Sequence, residues 1–340
     1  MADRLSFAVV GCGNIGSRHL AVIEAQERAQ IAAVCDIDPE KCRKYSALYG
    51  GAPAYASLEE LLHGSGAQVI SICTPHHLHA PMAIAAARAG RHILVEKPMS
   101  LTSLDARAMT AAAEHAGVRL MVVKQNRYNV PVVLAKEALD AGKLGTVYAV
   151  RCSVLWNRHA GYYAESPWRG RKAMEGGALY TQVSHFLDLL LWWFGDVVQA
   201  SGELARRKHP IEIEDVGAAQ VRFASGVIGS LDWTTCVYGK NYEGSITIIG
   251  DRGTIKIGGQ YLNKIEYWDV QDSPLPPDVE FTDKPNAYGK YQGTSSNHDK
   301  VIRDLISDVL DGSAKSVSPD EGRKVVEAIE TIYRSASWQG

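Results

Sequence analysis

The chain has 340 residues, more than one hydrophobic core usually holds, so two domains are expected. Hydrophobic residues make up 46% and charged residues 22% of the sequence, which excludes a disordered chain and a disulfide scaffold. A formal net charge of -2 gives no long-range reason to bind nucleic acid or an anionic membrane. The composition therefore favours small-molecule chemistry.

The six cysteines are scattered without a C-x-x-C pair, so neither a structural zinc site nor a disulfide framework is expected. No apolar stretch reaches 18 residues, and the first residues lack the apolar core of a signal peptide. We therefore expect a reduced, cytoplasmic protein that does not bind membranes.

The first third of the sequence alternates short apolar runs with helical patterns, which is typical of parallel βαβ units. Strands are predicted at 7–10, 31–35, 69–73, 92–96 and 119–123. Helices are predicted between them at 17–27, 39–49, 58–62, 81–89 and 104–116. The fold class is therefore α/β, with a doubly wound parallel sheet in a first domain at residues 1–124.

After residue 125 the strands are longer and alternate between apolar and polar residues, which indicates a mostly antiparallel sheet. A helix is predicted at 182–194, and two closing helices at 298–310 and 320–337 are expected to pack back on the first domain. Residues 125–340 are thus interpreted as a second, α+β domain. Because a monomer rarely exposes a large apolar face, we expect a homo-oligomer, either a dimer or a tetramer.

A glycine-rich turn, G-C-G-N-I-G, directly follows the first predicted strand and opens a helix. The first glycine permits a tight turn, the second lets backbone amides approach a pyrophosphate, and the third allows close packing of helix and sheet. The cofactor-binding candidates in this turn are Gly11, Gly13, Asn14, Ile15 and Gly16.

Asp36 ends the second predicted strand, where a carboxylate can accept hydrogen bonds from both ribose hydroxyls. It would repel a 2′-phosphate, so NAD is favoured over NADP. Lys41 and Arg43 lie close enough in the sequence to be the features that would favour NADP instead.

Four segments together resemble the glucose-fructose oxidoreductase, inositol dehydrogenase and MocA family: AVVGCGNIG, CDIDP, CTPHHLH and GRHILVEKPMS. The resemblance extends over essentially the whole chain. Four further segments are similar to UDP-N-acetylglucosaminuronic acid 3-dehydrogenases of bacterial surface-polysaccharide (lipopolysaccharide O-antigen) synthesis: VVKQNRYN, PWRG, GGALYTQVSHFLDLLLWWFG and EGSITIIGDRGTIKIGG. The resemblance implies an NAD-binding Rossmann domain at residues 1–124, an open-faced sheet domain for substrate binding and oligomerisation at residues 125–340, and an active site between them.

Lys97 follows a predicted strand at the carboxyl edge of the sheet, where on its own it would be interpreted as a solvated lysine. The family resemblance implies that Lys97 and His185 contact the reacting hydroxyl. One of them accepts the hydroxyl proton and the other stabilises the alkoxide, and the sequence leaves the assignment open, with His185 favoured as the base. Thr181 stands where many family members carry an aspartate, so His185 must be oriented by other groups.

The resemblance also implies contacts to the cofactor outside the glycine-rich turn. These are assigned to Thr74, His79, Glu96, Lys97, Trp168 and Arg169. His76, His77 and His79 could suggest a metal site, but their spacing matches no usual zinc set, and no metal is expected.

A uronate linked to a diphosphate carries about three negative charges near neutral pH, so its pocket needs cations. Lys124, Arg127 and Arg169 are the first choices. The full set of substrate-binding candidates is Lys97, Lys124, Arg127, Tyr163, Thr181, Gln182, His185, Ser296, Asn297 and His298.

Together these features predict a dehydrogenase that oxidises a sugar ring hydroxyl to a ketone with NAD, with C3 of UDP-N-acetylglucosaminuronic acid as the favoured substrate position. Two alternatives stay open at this point. The substrate could be a free polyol or sugar such as an inositol, or the chain could be a non-catalytic NAD-binding regulator on the same fold.

Overall fold

A computed structural model describes residues 4–277, 279–281, 285–287, 292–313 and 316–339. The chain forms two compact units. The first contains Met1–Lys124 and His298–Val326, and the second contains Gln125–Asn297 and Glu327–Gly340. Residues 298–326 lie in the range given to the second domain, but their helices were expected to pack back on the first domain, and they belong to the first unit. The physical reason is that the helix at His298–Asp311 packs against the helix at Asn14–Glu24.

The first unit is built on a parallel sheet of six described strands, in the order β3-β2-β1-β4-β5-β6. This arrangement confirms the predicted doubly wound Rossmann fold. Every residue of the central strands is buried except the first residue of β5, so these strands are continuous apolar runs. The strands are β1 Leu5–Val10, β2 Ala29–Cys35, β3 Ala54–Tyr55, β4 Val69–Ile72, β5 His92–Val95 and β6 Leu120–Val122.

Helices of the first unit begin and end where the sequence supplies capping groups. Asp38, Ser57 and Thr102 each accept a backbone N–H at a helix start, and Gly117 ends a helix at φ 65°. The helices are α1 Asn14–Glu24, α2 Pro39–Leu48, α3 Leu58–Gly64, α4 His79–Arg88, α5 Ser103–Ala116 and α10 His298–Asp311. The unit boundary falls inside α11, Pro319–Ser335.

The second unit is built on a mixed sheet of eight described strands, in the order β13-β12-β11-β7-β10-β9-β8-β16. Its pairings are antiparallel except for β10 with β7 and β16 with β8, which are parallel. The strands are β7 Val147–Leu155, β8 Val197–Ala205, β9 Val216–Phe223, β10 Ile228–Thr234, β11 Glu243–Gly250, β12 Gly253–Gly258, β13 Lys264–Val270 and β16 Ala336–Gln339. A separate hairpin joins β14 Pro285–Ala287 and β15 Gln292–Ser295.

One face of this sheet is covered by the apolar helix α9, Ser184–Phe194, which follows a π-helical turn at Leu179–Val183. Phe186 of α9 packs against Trp156, with ring centroids 5.7 Å apart. The other helices of the second unit are α6 Val130–Asp140, α7 Ala160–Ala164 and α8 Lys172–Glu175. Within the described residues, no helix combines the length and apolarity that crossing a bilayer requires.

The opposite face of the sheet corrects one expectation. It was expected to be apolar, but along β9 the exposed positions are Ala218, Gln220 and Arg222, while their neighbours are buried. Arg151 of β7 and Asp232 of β10 are exposed on the same face. The outer face is therefore mostly polar, because only the face beneath α9 supplies the core.

Candidate active site

The glycine-rich turn of the first unit has the geometry of a dinucleotide phosphate site. Gly11 lies at φ 90°, and a Cβ there would come within 2.7 Å of the Cys73 carbonyl oxygen. A Cβ on Gly16 would lie 1.9 Å from the Gly11 carbonyl oxygen, so α1 can approach the turn only with glycine at this position. A Cβ on Gly13 would meet nothing within 4 Å. The residues thus fit a pyrophosphate bound over Gly13 at the start of α1.

Asp36 holds this turn with its carboxylate. Oδ2 accepts the Cys12 N–H at 2.7 Å, and Oδ1 accepts the Asp38 N–H at 2.9 Å. The Lys41 ammonium lies 3.7 Å from Oδ1. Each carboxylate oxygen has a second lone pair, so the pair of oxygens can still accept ribose hydroxyls, as NAD binding requires.

Lys97 follows β5 and lies between two residues that are tied to other parts of the first unit. The Glu96 Oε2 atom accepts the Lys97 backbone N–H at 3.1 Å. The imidazole of His79 lies 2.7 Å from the Pro98 carbonyl oxygen through Nδ1 and 2.9 Å from the Thr74 carbonyl oxygen through Nε2. His79 is fully buried, so its ring joins the loops that follow β4 and β5 and is not open toward a ligand. The expected contact between His79 and the cofactor stays a prediction.

Glu96 is the centre of a buried polar cluster, which we call the Glu96 cluster and which contains His19, Ser71, Glu96 and His298. His19 Nε2 donates to Glu96 Oε1 at 2.9 Å, and His19 Nδ1 lies 2.7 Å from Ser71 Oγ. His298 Nε2 lies 3.5 Å from the same Glu96 oxygen. Both Glu96 and His298 are buried and face each other, because α10 packs against α1, and their expected contacts to cofactor and substrate stay predictions.

Charges in the Glu96 cluster follow from burial and hydrogen bonding. Burial opposes ionisation of Glu96, yet the hydrogen bond from His19 and the nearby His298 ring hold its pKa well below the usual value. Burial would lower the pKa of His19, but Cys73 and Glu96 raise it to about 10. Burial lowers the pKa of His298. The cluster is therefore a carboxylate, an imidazolium and a neutral imidazole. The three side chains are also close enough to share a metal ion, but the 2.9 Å contact is a direct hydrogen bond.

His185 lies on α9 in the second unit and is 5% exposed. One turn earlier, Thr181 Oγ1 donates to Glu175 Oε1 at 2.7 Å, and the other oxygen of Glu175 accepts the Gly170 N–H. Glu175 is 1% exposed. A buried carboxylate thus lies next to Thr181, although the residue at position 181 is not itself acidic.

Arg158 is a buried cation that the sequence interpretation did not identify. Its Nη2 donates to Gln182 Oε1 at 2.6 Å and its Nη1 to Asn241 Oδ1 at 3.1 Å. The Gln182 amide nitrogen in turn donates to Tyr162 Oη at 3.1 Å. Gln182 therefore belongs to a network of buried polar groups one turn from His185. Nothing in the segment LWNRHA distinguishes Arg158 from a surface arginine, so the sequence holds no signal for this network.

The cations expected for a diphosphate have different surroundings. Arg127 makes a bidentate ion pair with Asp188, with Nε–Oδ2 at 2.8 Å and Nη2–Oδ1 at 2.9 Å, and its guanidinium lies 4.9 Å from the Trp192 ring. Two of its five N–H donors are thus used by Asp188, and the phosphate contact of Arg127 stays a prediction. Lys124 is 3% exposed in the first unit. Arg169 stacks on Tyr162, with its guanidinium 4.1 Å from the ring centroid, and lies 5.6 Å from the Trp168 ring.

The remaining candidates also lie in polar surroundings of the second unit. Tyr163 Oη lies 3.2 Å from Thr235 Oγ1, and burial raises the pKa of Tyr163. Asn297 donates through Nδ2 to Asn129 Oδ1 at 2.8 Å. Ser296 is half-buried, whereas the side chains of Thr294 and Ser295 in the same TSSNH run lie outside the described residues.

Two buried polar side chains in the second unit were not among the sequence-based candidates. Asn126 is 2% exposed, and within the described part of the chain neither atom of its amide has a hydrogen-bond partner. The same holds for the hydroxyl of Ser184, which precedes His185. An unsatisfied buried polar group costs about 1–3 kcal/mol, so these groups are suited to hydrogen-bond a ligand.

Two family models match the chain. The model described as the oxidoreductase family, NAD-binding Rossmann fold (GFO/IDH/MocA) matches residues 5–124, and the model of the GFO/IDH/MocA C-terminal domain matches residues 132–256. A solved structure of the WlbA dehydrogenase from Bordetella pertussis, in complex with NADH and UDP-GlcNAcA, is 35% identical. Its alignment covers 98% of this chain and 96% of that one, with a TM-score of 0.87.

Curated relatives include enzymes that act on other alcohols. A 1-carboxy-3-chloro-3,4-dihydroxycyclohexa-1,5-diene dehydrogenase of Comamonas testosteroni is 32% identical over 68% of this chain, and the match spans 58% of that relative. The myo-inositol 2-dehydrogenase of Thermotoga maritima is 26% identical, with coverage of 94% of this chain and 92% of that enzyme.

Proposed function

Because the chain belongs to the GFO/IDH/MocA family of oxidoreductases and is an NAD-dependent sugar or polyol dehydrogenase, we propose that its substrate is a UDP-linked uronate. The reaction is oxidation of a sugar ring hydroxyl to a ketone, at C3 of UDP-N-acetylglucosaminuronic acid. The observation that carries this proposal is the full-length similarity to the WlbA dehydrogenase, which was solved with that nucleotide sugar.

NAD, when bound, supplies the carbon that accepts the hydride. The residues that would hold it are those of the Gly11–Gly16 turn and Asp36, since the turn is open over Gly13 and the Asp36 carboxylate retains acceptor capacity. Thr74, Trp168 and Arg169 remain further proposed contacts.

Removal of the hydroxyl proton is assigned to Lys97 and His185. An imidazole can take the proton directly, and an ammonium placed near the oxygen stabilises the developing negative charge. Burial of His185 and of the Glu175–Thr181 pair one turn earlier excludes bulk water from this part of the helix. Arg158, Gln182 and Asn126 are proposed to bind the polar parts of the sugar, because their side chains are buried and polar.

A spectrophotometric screen tests the substrate. Purified full-length protein is incubated with NAD and UDP-N-acetylglucosaminuronic acid, UDP-N-acetylglucosamine, UDP-glucuronic acid or myo-inositol, and NADH formation is followed. We expect kcat/KM for UDP-N-acetylglucosaminuronic acid to exceed each of the others by at least about tenfold, because a site built for polar groups rejects analogues that lack them. A higher kcat/KM for myo-inositol would contradict the proposal.

Matched variants test the two proposed catalytic residues. Lys97→Met and His185→Asn should each lower kcat by about 100-fold or more, because each removes a group that stabilises the proton-transfer step. Lys143→Met and His115→Asn make the same chemical changes at exposed positions and should retain full activity. Wild-type kcat in both Lys97→Met and His185→Asn would show that the chemistry takes place elsewhere.

A free polyol is the second candidate substrate, and the full-length similarity to a myo-inositol 2-dehydrogenase favours it. The substrate screen separates the two candidates directly.

A further inference from the structure

The Glu96 cluster contains a fully buried ion pair that neither the phosphate turn nor the hydroxyl chemistry uses directly. Its members come from four separate elements of the first unit: α1, β4, the residue after β5, and the start of α10. A buried ion pair is weak evidence for stability, because well-packed apolar residues often serve as well or better. The presence of the pair therefore calls for a reason other than stability.

We propose that Glu96 is a positioning residue for Lys97, held in place by His19 and His298. This inference rests on the proposed function, in which Lys97 acts on the reacting hydroxyl. One oxygen of Glu96 accepts from His19 at 2.9 Å, and the other accepts the Lys97 N–H at 3.1 Å. The carboxylate thus bridges α1 and the Lys97 backbone.

The location of His19 explains what the bridge controls. His19 lies on the buried face of α1 together with Gly16, one turn from the glycine that packs against the phosphate turn. A shift of Glu96 would therefore change the distance between the phosphate-binding helix and the Lys97 backbone. His79 holds the other side of Lys97 through the Pro98 carbonyl oxygen at 2.7 Å. The residues on both sides of Lys97 are thereby held in place, and they hold its backbone. A catalytic group requires such precise placement.

The test is Glu96→Gln in the full-length protein, measured by single-turnover stopped flow at saturating NAD. Glutamine keeps the size of glutamate but loses the charge that holds His19. We expect the rate constant for NADH appearance to fall by about tenfold to hundredfold, the effect of a misplacement of about 1 Å. In a separate steady-state series with varied NAD, KM for NAD should change by less than about twofold. If Glu96 had only a structural role, the variant would contain less folded protein. The amplitude of the NADH signal would then fall, and the rate constant would stay unchanged.

Glu59→Gln is the matched control, since Glu59 is an exposed residue of α3 in the same unit, and it should leave rate constant and amplitude unchanged. Should Glu96→Gln fail to fold, His19 variants test the same inference. His19→Gln can still donate to Glu96 and should retain more of the rate constant than His19→Leu. Equal rate constants in these two variants would overturn the proposal.

A second measurement keeps this inference separate from the identity of the substrate. Trinitrobenzenesulfonate modification, followed by peptide mass spectrometry, reports the reactivity of the Lys97 amine without turnover. We expect the rate at which the Lys97 amine is modified to change at least about threefold in Glu96→Gln. The modification rate of the exposed Lys143 should stay constant. Absence of NADH from any sugar with the wild-type protein would overturn the proposed function alone. Unchanged Lys97 reactivity and an unchanged single-turnover rate constant would overturn the positioning role.

Discussion

Gly13 and Gly16 lie three residues apart in one turn, but different constraints require glycine at each. Gly16 faces the backbone of the same protein, since its Cβ would lie 1.9 Å from the Gly11 carbonyl oxygen. Gly13 has ordinary backbone angles, φ -77° and ψ -159°, and an added Cβ would meet no atom within 4 Å. The fold requires glycine at position 16, whereas at position 13 only a ligand could require it.

A pair of alanine variants tests this difference. Gly13→Ala should keep the wild-type Tm and weaken NAD binding by about tenfold or more, because its methyl group occupies the space of the pyrophosphate. Gly16→Ala should lower the Tm by several degrees, corresponding to about 1–3 kcal/mol of overpacking. Differential scanning fluorimetry and NADH fluorescence titration measure the two effects. Unchanged NAD affinity in Gly13→Ala would place the dinucleotide elsewhere.

For individual residues, local sequence motifs could be predicted, but side-chain partners that are distant in the sequence could not. The glycines and Asp36 were identified because their chemistry follows from a strand, a turn and a helix that are adjacent in sequence. His19 appears in the sequence as an ordinary helix residue, because its partner Glu96 lies 77 residues away. The pairing of Arg127 with Asp188, 61 residues apart, was missed for the same reason.

Among the elements, the turn that leads into α9 is held by a buried carboxyl group. Tyr333 Oη donates to Glu214 Oε1 at 2.6 Å, and the Leu179 N–H donates to the same oxygen at 3.2 Å. Burial raises the pKa of Glu214 from 4.5 to about 7, more than these hydrogen bonds lower it. The folded protein therefore binds this proton more tightly than the unfolded chain does. The free energy of unfolding should fall as the pH rises from about 4.5 to about 7, as linkage requires.

Replacing Glu214 with glutamine tests this linkage. Glutamine keeps an oxygen that accepts from Tyr333 and Leu179 but carries no charge, so Glu214→Gln should be more stable than the wild type at pH 8 by up to about 3 kcal/mol. At pH 4.5 the two proteins should differ little. Urea unfolding at both pH values measures the difference, with Glu203→Gln, an exposed residue of β8, as the control. An equal stability difference at both pH values would contradict the assigned protonation.

The sequence predicted helices and strands correctly where the hydrophobic periodicity was strong. It failed where pairing with a distant strand determines the local structure. Five of the six described parallel strands of the first unit were placed within two residues, because continuous apolar runs of four or more residues are characteristic. The two-residue strand β3 has no such run and was not predicted. The sequence interpretation did not identify α6 or β8. It also extended the last helix to residue 337, whereas α11 ends at Ser335 and β16 pairs in parallel with β8. Strand formation by Ala336–Gln339 depends on that neighbouring strand, which local propensity cannot report.

At the scale of the whole molecule, the outer face of the second sheet is the surface to which self-association is assigned. Arg151, Ser230 and Gln220 lie side by side on three adjacent strands, because Ser230 pairs with both of the others. Asp232 accepts a hydrogen bond from Ser153 on the same face, at 2.8 Å. Such a face does not need an apolar cover, so the original reason for expecting an oligomer no longer holds. Any contact through it would be polar, with bridging waters.

We still expect a homo-oligomer through this face, because a sheet of eight strands presents a broad, regular surface that a two-fold axis can pair with itself. A polar contact of this kind should weaken as the ionic strength rises, since salt screens charges beyond about 10 Å at 0.1 M. Sedimentation velocity at micromolar protein should give a mass above that of one chain. Arg151→Glu should shift the mass toward the monomer, because it reverses a charge near the centre of the face. Arg88→Glu, an exposed residue of α4, is the matched control and should leave the mass unchanged. A wild-type protein that sediments as a monomer, or an Arg151→Glu variant that associates normally, would remove this face from consideration.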